Sequence, residues 1–166
     1  MLIDTLCTRC GLCCDGTLFG DVELTGRREA ARLEALGLDV DTDDADVVLL
    51  ALPCAGLRNT RCGVYAHRPQ CCRTFECRLL QETVRGTVAV ADALASVAEA
   101  RKQVTRVKTL LGAAEPRRGV SLPLAERVAE AVAAASGTDR AAVRRRRALT
   151  TAMAALRRMI RTTLLD

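Results

Sequence analysis

The sequence predicts a mainly α-helical fold with irregular cysteine-rich loops and a small α+β element in its N-terminal half. All nine cysteines lie between Cys7 and Cys77, among the glycines, prolines and arginines that are typical of loops. From Arg78 onward, apolar residues recur at helical spacing. The chain has no Trp, one Tyr and two Phe, so few large side chains are available for a conventional core. We therefore expect bound metal to stabilise the cysteine-rich loops.

Short elements separated by turns are expected in the N-terminal half. Residues 1–24 predict irregular backbone with a short extended piece at Thr17–Leu24, because glycines interrupt this segment. Thr25 is a candidate N-cap for a helix over Gly26–Leu36. A β-branched and aliphatic run at Val47–Leu52 predicts a strand.

A run of five aspartates lies within Asp39–Asp46, between the predicted helix and the predicted strand. Calcium binding by an EF-hand would require a Gly at the sixth loop position and a Glu at the end, and neither is present. We therefore predict a solvated acidic loop.

Three long helices are predicted after the cysteine-rich segment. The first covers Val88–Leu111, and the second covers Leu122–Ser136. The third begins near Thr138–Asp139 and runs almost to the end of the chain. Between the first two helices, Glu115–Val120 is the best candidate for a linker. The third helix carries an apolar stripe at spacings of three and four residues, formed by Leu149, Met153, Leu156, Ile160 and Leu164.

Charge divides the chain in the same way as cysteine content. Residues 1–84 contain nine basic and 13 acidic side chains, whereas residues 85–166 contain 16 basic and seven acidic ones. We predict two domains with these bounds, a cysteine-cluster metal-binding module and a basic, Ala- and Arg-rich helical region. No apolar run approaches the roughly 18 residues of a membrane span, and the N-terminus lacks the basic and apolar stretches of a signal peptide. A cytoplasmic protein is therefore expected.

The first four cysteines form a C-x-x-C-x-x-C-C motif at Cys7, Cys10, Cys13 and Cys14. A C-x-x-C spacing lets two sulfurs face one ion, and Gly11 eases the tight backbone between them. Three cysteines at this spacing also hold the cubane cluster of bacterial ferredoxins. Five more cysteines follow close together, namely Cys54, Cys62, Cys71, Cys72 and Cys77. This density predicts that the thiols bind metal ions or an iron–sulfur cluster.

Other uses of nine cysteines fit the pattern less well. A disulfide framework would suit the density, yet the count is odd, no export signal is visible, and two pairs of cysteines are adjacent in sequence. A redox C-x-x-C of the thioredoxin type would lie in a βαβ unit, and the sequence shows no such pattern. Buried cysteines that bind no ligand are the remaining alternative.

Arginines lie close to the thiols throughout the cysteine-rich half. Arg68 and Arg73 are the best candidates for an outer shell that compensates thiolate charge, because of the motif in which they occur. His67, the one histidine, is expected to be an exposed turn residue, with metal ligation as the alternative. Tyr65 and Phe75 are expected to anchor a small core.

The order of these residues resembles the YkgJ family of cysteine-cluster proteins, described as a zinc- or iron-chelating CxxCxxCC domain. After the opening motif, the family pattern continues with Cys-x-x-Leu, then Cys-x-[Ile/Val]-Tyr-x-x-Arg-Pro-x-x-Cys-Arg, and then a late Cys. The chain has Cys54-Ala-Gly-Leu57, then Cys62-Gly-Val-Tyr-Ala-His-Arg-Pro-Gln-Cys-Cys72-Arg73, and then Cys77. The resemblance covers roughly residues 7–80.

The resemblance implies that eight cysteines bind metal, namely Cys7, Cys10, Cys13, Cys14, Cys54, Cys62, Cys72 and Cys77. Cys71 falls on a variable position of the family pattern and would be the extra thiol. Eight thiolates suit two four-coordinate zinc or iron ions, two iron–sulfur clusters, or one of each. A site closed by protein thiolates favours a non-enzymatic structural or metal-handling role. An iron–sulfur protein with a redox or catalytic role is the alternative.

The C-terminal half adds a basic helical surface. Arg144–Arg147 is a run of four arginines on the third predicted helix, and three more arginines follow it, namely Arg157, Arg158 and Arg161. We expect a solvated surface or one that faces a protein partner. A zinc-stabilised nucleic-acid-binding module is less favoured, because this half has no aromatic side chains for base stacking. An anionic membrane surface is the least favoured partner.

Overall fold

The computed structural model describes residues 2–44, 46–112, 122–134 and 139–165. The chain forms two compact units, Met1–Glu76 and Cys77–Asp166. The first unit holds small sheets and eight of the nine cysteines, and the second is helical. The fold is therefore mainly α with a small α+β element in its N-terminal half, as predicted. The division into domains at residues 1–84 and 85–166 stays a prediction.

The first unit consists of short elements joined by turns. In chain order they are α1 (Leu2–Cys10), β1 (Asp21–Glu23), α2 (Arg27–Glu34), β2 (Val40–Asp41), β3 (Leu49–Ala51), β4 (Leu57–Arg58), β5 (Arg61–Cys62), a 3₁₀ turn (Tyr65–His67) and α3 (Gln70–Thr74). Strand β3 lies between β1 and β2 in an antiparallel sheet, and β4 pairs with β5 in a separate hairpin. Leu50 in the middle of β3 lies opposite Val22 on one side and Val40 on the other.

The core of the first unit is small and aliphatic. Leu33 on α2 is fully shielded from solvent and Leu50 on β3 nearly so. They pack with four further buried residues, Leu24, Ala30, Leu38 and Val48. Cys54 and Cys71 pack against the same cluster from its edge. The cysteine-rich segments therefore lie beside the apolar core.

The predicted irregular backbone over residues 1–24 is wrong at its beginning, because Leu2–Cys10 is helical. Buried Leu6 gives this helix an inward side. Gly11 ends the helix with a φ of 69°, and its N–H donates to the Cys7 carbonyl at 3.1 Å. The extended piece, the helix and the strand predicted further along correspond to β1, α2 and β3, each shorter than expected.

The acidic run between α2 and β3 is solvated, as predicted. Its five aspartates are all exposed. Two of them accept hydrogen bonds from the backbone two residues on, since Asp41 Oδ1 accepts from the Asp43 N–H and Asp44 Oδ1 from the Asp46 N–H, both at 2.9 Å. The run also contains strand β2, which the loop prediction did not anticipate.

The second unit consists of α4 (Arg78–Val84), α5 (Val90–Leu111), α6 (Leu124–Ala134), α7 (Arg140–Met159) and a π-helical turn (Ile160–Leu164). Helix α7 packs against α5 and α6, and the five residues of its predicted apolar stripe are all buried. Asp139 caps α7, since its Oδ1 accepts hydrogen bonds from the N–H groups of Ala141 and Ala142 at 2.8 and 2.9 Å. The predicted linker at Glu115–Val120 lies outside the described residues. Among the helices that are described, none combines the length and the apolar character needed to cross a bilayer.

Candidate metal centre

The first cysteine segment runs from α1 into the turn that follows it. Cys7 and Cys10 lie in α1, and the next two cysteines follow Gly11. Gly11 has a φ of 69°, and a Cβ at this position would lie 3.0 Å from the Cα of Thr60. Glycine is therefore needed here both for the left-handed backbone and for the close approach of the β4–β5 hairpin.

Hydrogen bonds join this segment to the hairpin. The Thr60 hydroxyl, at the hairpin tip, donates to the Thr8 carbonyl at 2.6 Å. The Cys54 N–H, just before the hairpin, donates to the Cys14 carbonyl at 2.8 Å. Two predicted ligands that are far apart in sequence are thus connected directly through their backbones.

Cys54 lies in a turn whose backbone donors point at its sulfur. Burial raises the pKa of the Cys54 thiol, and hydrogen bonds to it from the N–H groups of Gly56 and Leu57 oppose the rise. The neighbouring Cys62 thiol and the Asp39 carboxylate raise the pKa further. N–H donors of this kind stabilise a thiolate, which is the form in which cysteine binds metal.

Helix α3 carries two adjacent cysteines with different surroundings. The Cys72 thiol interacts electrostatically with the thiols of Cys14 and Cys54. Cys71 packs against the apolar core and lies within electrostatic range of the Glu29 carboxylate. The two side chains also hydrogen-bond to each other. The two positions therefore contact different parts of the unit.

The Cys14 thiol is influenced electrostatically by the thiols of three other predicted ligands. Burial raises the pKa of this thiol to about 12, and the thiols of Cys54, Cys62 and Cys7 contribute to the rise. Burial and neighbouring thiols also raise the pKa of Cys72. Clustered, half-buried thiols resist ionisation because each thiolate would be partly desolvated and would face other sulfurs. A metal cation supplies the positive charge that allows such thiols to lose their protons.

The structure brings together five predicted ligands from three segments of the first unit, namely Cys7, Cys14, Cys54, Cys62 and Cys72. Cys10 and Cys13 belong to the first of these segments. Cys77 belongs to the second unit, where it is the N-cap residue of α4. All nine cysteines, which lie in the described part of the chain, carry thiols and form no disulfide.

Sulfur donors of this kind fit zinc or iron, both of which bind cysteine thiolates. In the described ranges, however, no three Cys, His, Asp or Glu side chains are arranged to hold a single ion. Coordination would therefore require the side chains of neighbouring cysteines to turn toward one ion, while hydrogen bonds already join the backbones of the α1 segment and the β4–β5 hairpin segment.

The predicted outer-shell arginines lie just before and within α3. The Arg68 guanidinium stacks on the ring of Tyr65 at 3.8 Å from its centroid. The Arg73 Nε donates to the Arg68 carbonyl at 2.7 Å. Within the described residues, the buried Nε of Arg68 has no hydrogen-bond acceptor. His67 ends the 3₁₀ turn and is exposed, as expected for a turn histidine.

The aromatic residues expected to anchor a core are exposed instead. Tyr65 is 47% exposed and Phe75 is 39% exposed. Phe75 packs edge-to-face on Phe19 at a centroid distance of 5.2 Å. Aliphatic side chains fill the core of this unit, so its few aromatic rings pack at the surface.

Comparison with known families identifies the cysteine-rich region. Residues 6–103 match the CxxCxxCC family model, whose description is "Putative zinc- or iron-chelating domain". The chain belongs to the CxxCxxCC family. The match confirms the resemblance seen in the motif and extends beyond it into α5. No curated protein and no solved structure matches the chain.

Membership of the CxxCxxCC family supports metal binding in general. Glu29 contacts a cysteine-bearing segment of this CxxCxxCC domain, although its place in the sequence does not indicate such a contact. Glu29 on α2 accepts a hydrogen bond from the N–H of Gln70, the first residue of α3. The signal available in the sequence was a Glu in the first turn of a predicted helix, which indicates a local cap and does not reveal the distant partner.

Proposed function

We propose that this CxxCxxCC protein chelates zinc or iron through its cysteine cluster and has a non-enzymatic role, either structural or in metal handling. The observation that carries the proposal is the approach of separate cysteine-bearing segments: the Cys54 N–H donates to the Cys14 carbonyl at 2.8 Å, and the Cys72 thiol lies within electrostatic range of both thiols. The proposed ligands are Cys7, Cys10, Cys13, Cys14, Cys54, Cys62, Cys72 and Cys77.

The geometry of α3 supports Cys72 as the ligand of its adjacent pair. Cys72 lies within range of Cys14 and Cys54, which belong to the other two segments. Cys71 packs against the apolar core, beside the carboxylate of Glu29. Ligands of one ion must lie close together, so the thiol near Cys14 and Cys54 is the one of the pair that could share an ion with them.

Eight thiolates would hold two four-coordinate ions and leave no open coordination position, which favours a non-enzymatic role. Bound metal would cross-link α1, the β4–β5 hairpin and α3, which are too short to be stable alone. Arg68 and Arg73 would offset part of the thiolate charge from outside the ligand shell. A reducing compartment such as the cytoplasm is the setting in which so many thiols persist, and we propose that location.

Purification of the full chain without oxygen, followed by elemental analysis, tests the proposal. We expect about two ions of zinc or iron per chain. Cys72→Ser should lower the metal content, whereas Cys71→Ser, its neighbour on α3, should leave it unchanged. A wild-type chain that is folded and contains neither metal would contradict the proposed function. Equal losses from both substitutions would contradict the choice of Cys72.

An iron–sulfur cluster is the alternative occupant of the same thiols, and the opening C-x-x-C-x-x-C spacing favours it. It predicts a brown protein with sulfur-to-iron charge-transfer absorption and acid-labile sulfide. A colourless preparation that contains only zinc would exclude this alternative.

We further propose that the basic face of α7 binds an acidic surface of a protein partner. The helix carries seven arginines and no acidic residue. Four of the arginines are exposed on the side away from buried Leu156, namely Arg140, Arg144, Arg147 and Arg158. Because the apolar stripe is already buried within the unit, the contact would be electrostatic and sensitive to salt.

Binding of the full chain to polyglutamate, a stand-in for an acidic protein surface, tests this partner across a salt titration. The double substitution Arg144→Glu and Arg147→Glu should abolish binding. The matched double substitution Lys102→Glu and Arg106→Glu, on exposed positions of α5, should reduce it much less. Tighter binding to duplex DNA than to polyglutamate would contradict the protein partner and favour a nucleic acid.

A further inference from the structure

The Glu29 carboxylate joins three parts of the first unit. Its Oε2 accepts hydrogen bonds from the N–H and from the hydroxyl of Thr25, at 3.0 and 2.9 Å. Its Oε1 accepts from the N–H of Gln70 at 3.0 Å and lies 3.5 Å from the Arg32 guanidinium. The side chain is 13% exposed. Both oxygens are therefore engaged, and the orientation of the carboxylate is held from two sides.

The contact with Gln70 lies at the N-terminus of α3. Gln70 is the first residue of α3, a helix of five residues that carries Cys71 and Cys72. The N-cap residue of α3 is Pro69, which makes no side-chain cap hydrogen bond. The first N–H groups of a helix have no acceptor within the helix. Glu29 supplies one from α2, 41 residues away in sequence, and places negative charge at the positive end of the helix dipole.

The remaining contacts of Glu29 hold its carboxylate in place for the hydrogen bond to α3. The two hydrogen bonds from Thr25 tie the carboxylate to the chain just before α2, so one oxygen is fixed locally while the other reaches α3. The ion pair with Arg32 adds little, because the Arg32 side chain is 49% exposed and screened by water. The bond to Gln70 is therefore the contact through which Glu29 influences the cysteine-bearing helix.

We propose that Glu29 is a positioning residue that caps α3 from α2 and thereby holds Cys72 toward Cys14 and Cys54. A helix of little more than one turn has few hydrogen bonds of its own to fix its direction. Loss of the cap would let α3 fray from its N-terminus, where Cys71 and Cys72 are its second and third residues. The consequence for metal affinity rests on the proposed function, whereas the positioning itself concerns the protein alone.

The first test follows the metal-free full chain by amide hydrogen exchange and by alkylation of Cys72. Glu29→Ala should accelerate exchange of the Gln70 amide about 10-fold or more, because a hydrogen bond to a charged acceptor is lost. Alkylation of Cys72 should become faster as well. Glu29→Gln should give exchange and alkylation rates between those of the wild type and Glu29→Ala, since its amide oxygen still accepts a hydrogen bond. This variant decides the test if Glu29→Ala does not fold. Glu34→Ala, at an exposed position of α2, is the matched control and should change neither rate.

The Leu24 amide, which donates to the Val48 carbonyl at 2.8 Å, reports whether the sheet remains intact in each variant. Zinc titration of the same variants gives the second test, with an expected weakening of about 10-fold for Glu29→Ala and no change for Glu34→Ala. Unchanged Gln70 exchange would overturn the inference, as would faster exchange with unchanged Cys72 alkylation and zinc affinity. A wild-type chain that binds neither zinc nor iron would contradict the proposed function alone, because exchange and alkylation decide the positioning without metal.

Discussion

The two units of this protein are stabilised in different ways. In Cys77–Asp166, long helices bury a continuous apolar stripe, and Leu156 and Leu164 are almost completely shielded. In Met1–Glu76, each strand has two or three residues, and the cysteines are exposed or half-buried. Helix packing is therefore sufficient to explain the second unit. The first unit has a small core and would gain most from bonds between its thiols.

Removal of metal should cause the largest loss of stability, and this loss should be confined to the first unit. Binding free energy at a thiolate site is also folding free energy, so a strong chelator should lower hydrogen-exchange protection in residues 1–76, while the apolar core around Leu33 and Leu50 keeps the unit folded. Protection in α5 and α7 should persist, because apolar packing stabilises them. Hydrogen-exchange mass spectrometry of the loaded and chelated chain measures both. Equal loss of protection in the two units would contradict the comparison.

Truncation of a core side chain in the second unit should destabilise that unit and leave metal binding by the first unit unchanged. Leu156 is 0% exposed, and Leu156→Ala should lower the free energy of unfolding of this unit by about 3 kcal/mol through lost burial and a residual cavity. Urea denaturation monitored by helical circular dichroism measures the change. Thr151→Ala, exposed on the same helix, should change it by less than about 0.5 kcal/mol. Metal content should stay unchanged in both variants, and a parallel loss of metal would show that the units are not stabilised independently.

Two glycines of the first unit allow the cost of backbone strain to be distinguished from the cost of a close contact. Gly11 and Gly37 have φ values of 69° and 77°, but a Cβ at Gly37 would meet nothing within 4 Å, whereas one at Gly11 would lie 3.0 Å from the Thr60 Cα. Gly37→Ala should cost about 1 kcal/mol from backbone strain. Gly11→Ala should cost about 2 kcal/mol or more and should also weaken metal binding, because the hairpin must move. Chemical denaturation and zinc titration measure the two effects. Equal losses in both variants would argue against the tight contact at Thr60.

Acidification should have the smallest effect. Burial raises the pKa of Glu29, but hydrogen bonds from Thr25 and Gln70 and the charge of Arg32 outweigh it and hold the pKa below its ordinary value of 4.5. Because the folded state binds the proton less well than the unfolded state, this contribution to stability is complete above the ordinary pKa. It is lost as the pH falls through the lowered folded value. The nearby Cys71 thiol, whose pKa is raised by burial, stays protonated throughout this range.

Urea unfolding of the metal-free chain between about pH 5 and pH 3 measures this contribution. The difference in stability between the wild type and Glu29→Gln should shrink as the pH falls. Glu34→Gln, on the exposed side of the same helix, should leave the pH dependence of the wild type unchanged. A difference between wild type and Glu29→Gln that does not vary with pH would contradict an ionised Glu29 in the folded state.

Local sequence patterns predicted the second unit well. The stripe from Leu149 to Leu164 is buried as expected, and α7 begins after the cap at Asp139. Both signals are contained within one helix, since periodicity reveals the inward face and the cap bonds to N–H groups that follow at once. In the first unit, local pattern does not reveal the helix at Leu2–Cys10, because its apolar residues are interspersed with thiols.

The sequence by itself determined the mainly α fold, the family and the kind of donor atom, because cysteine spacing and apolar periodicity are properties of neighbouring residues. Only the tertiary structure decided which cysteine-bearing segments lie together. Cys14, Cys54 and Cys72 come from three separate segments. Hydrogen bonds between distant residues join the first two, and the bond from the Gln70 N–H to Glu29 ties the third to α2. The cap that Glu29 provides for α3 is of the same kind, since donor and acceptor are 41 residues apart. Such contacts depend on how turns direct the chain through space, and no local pattern encodes that direction.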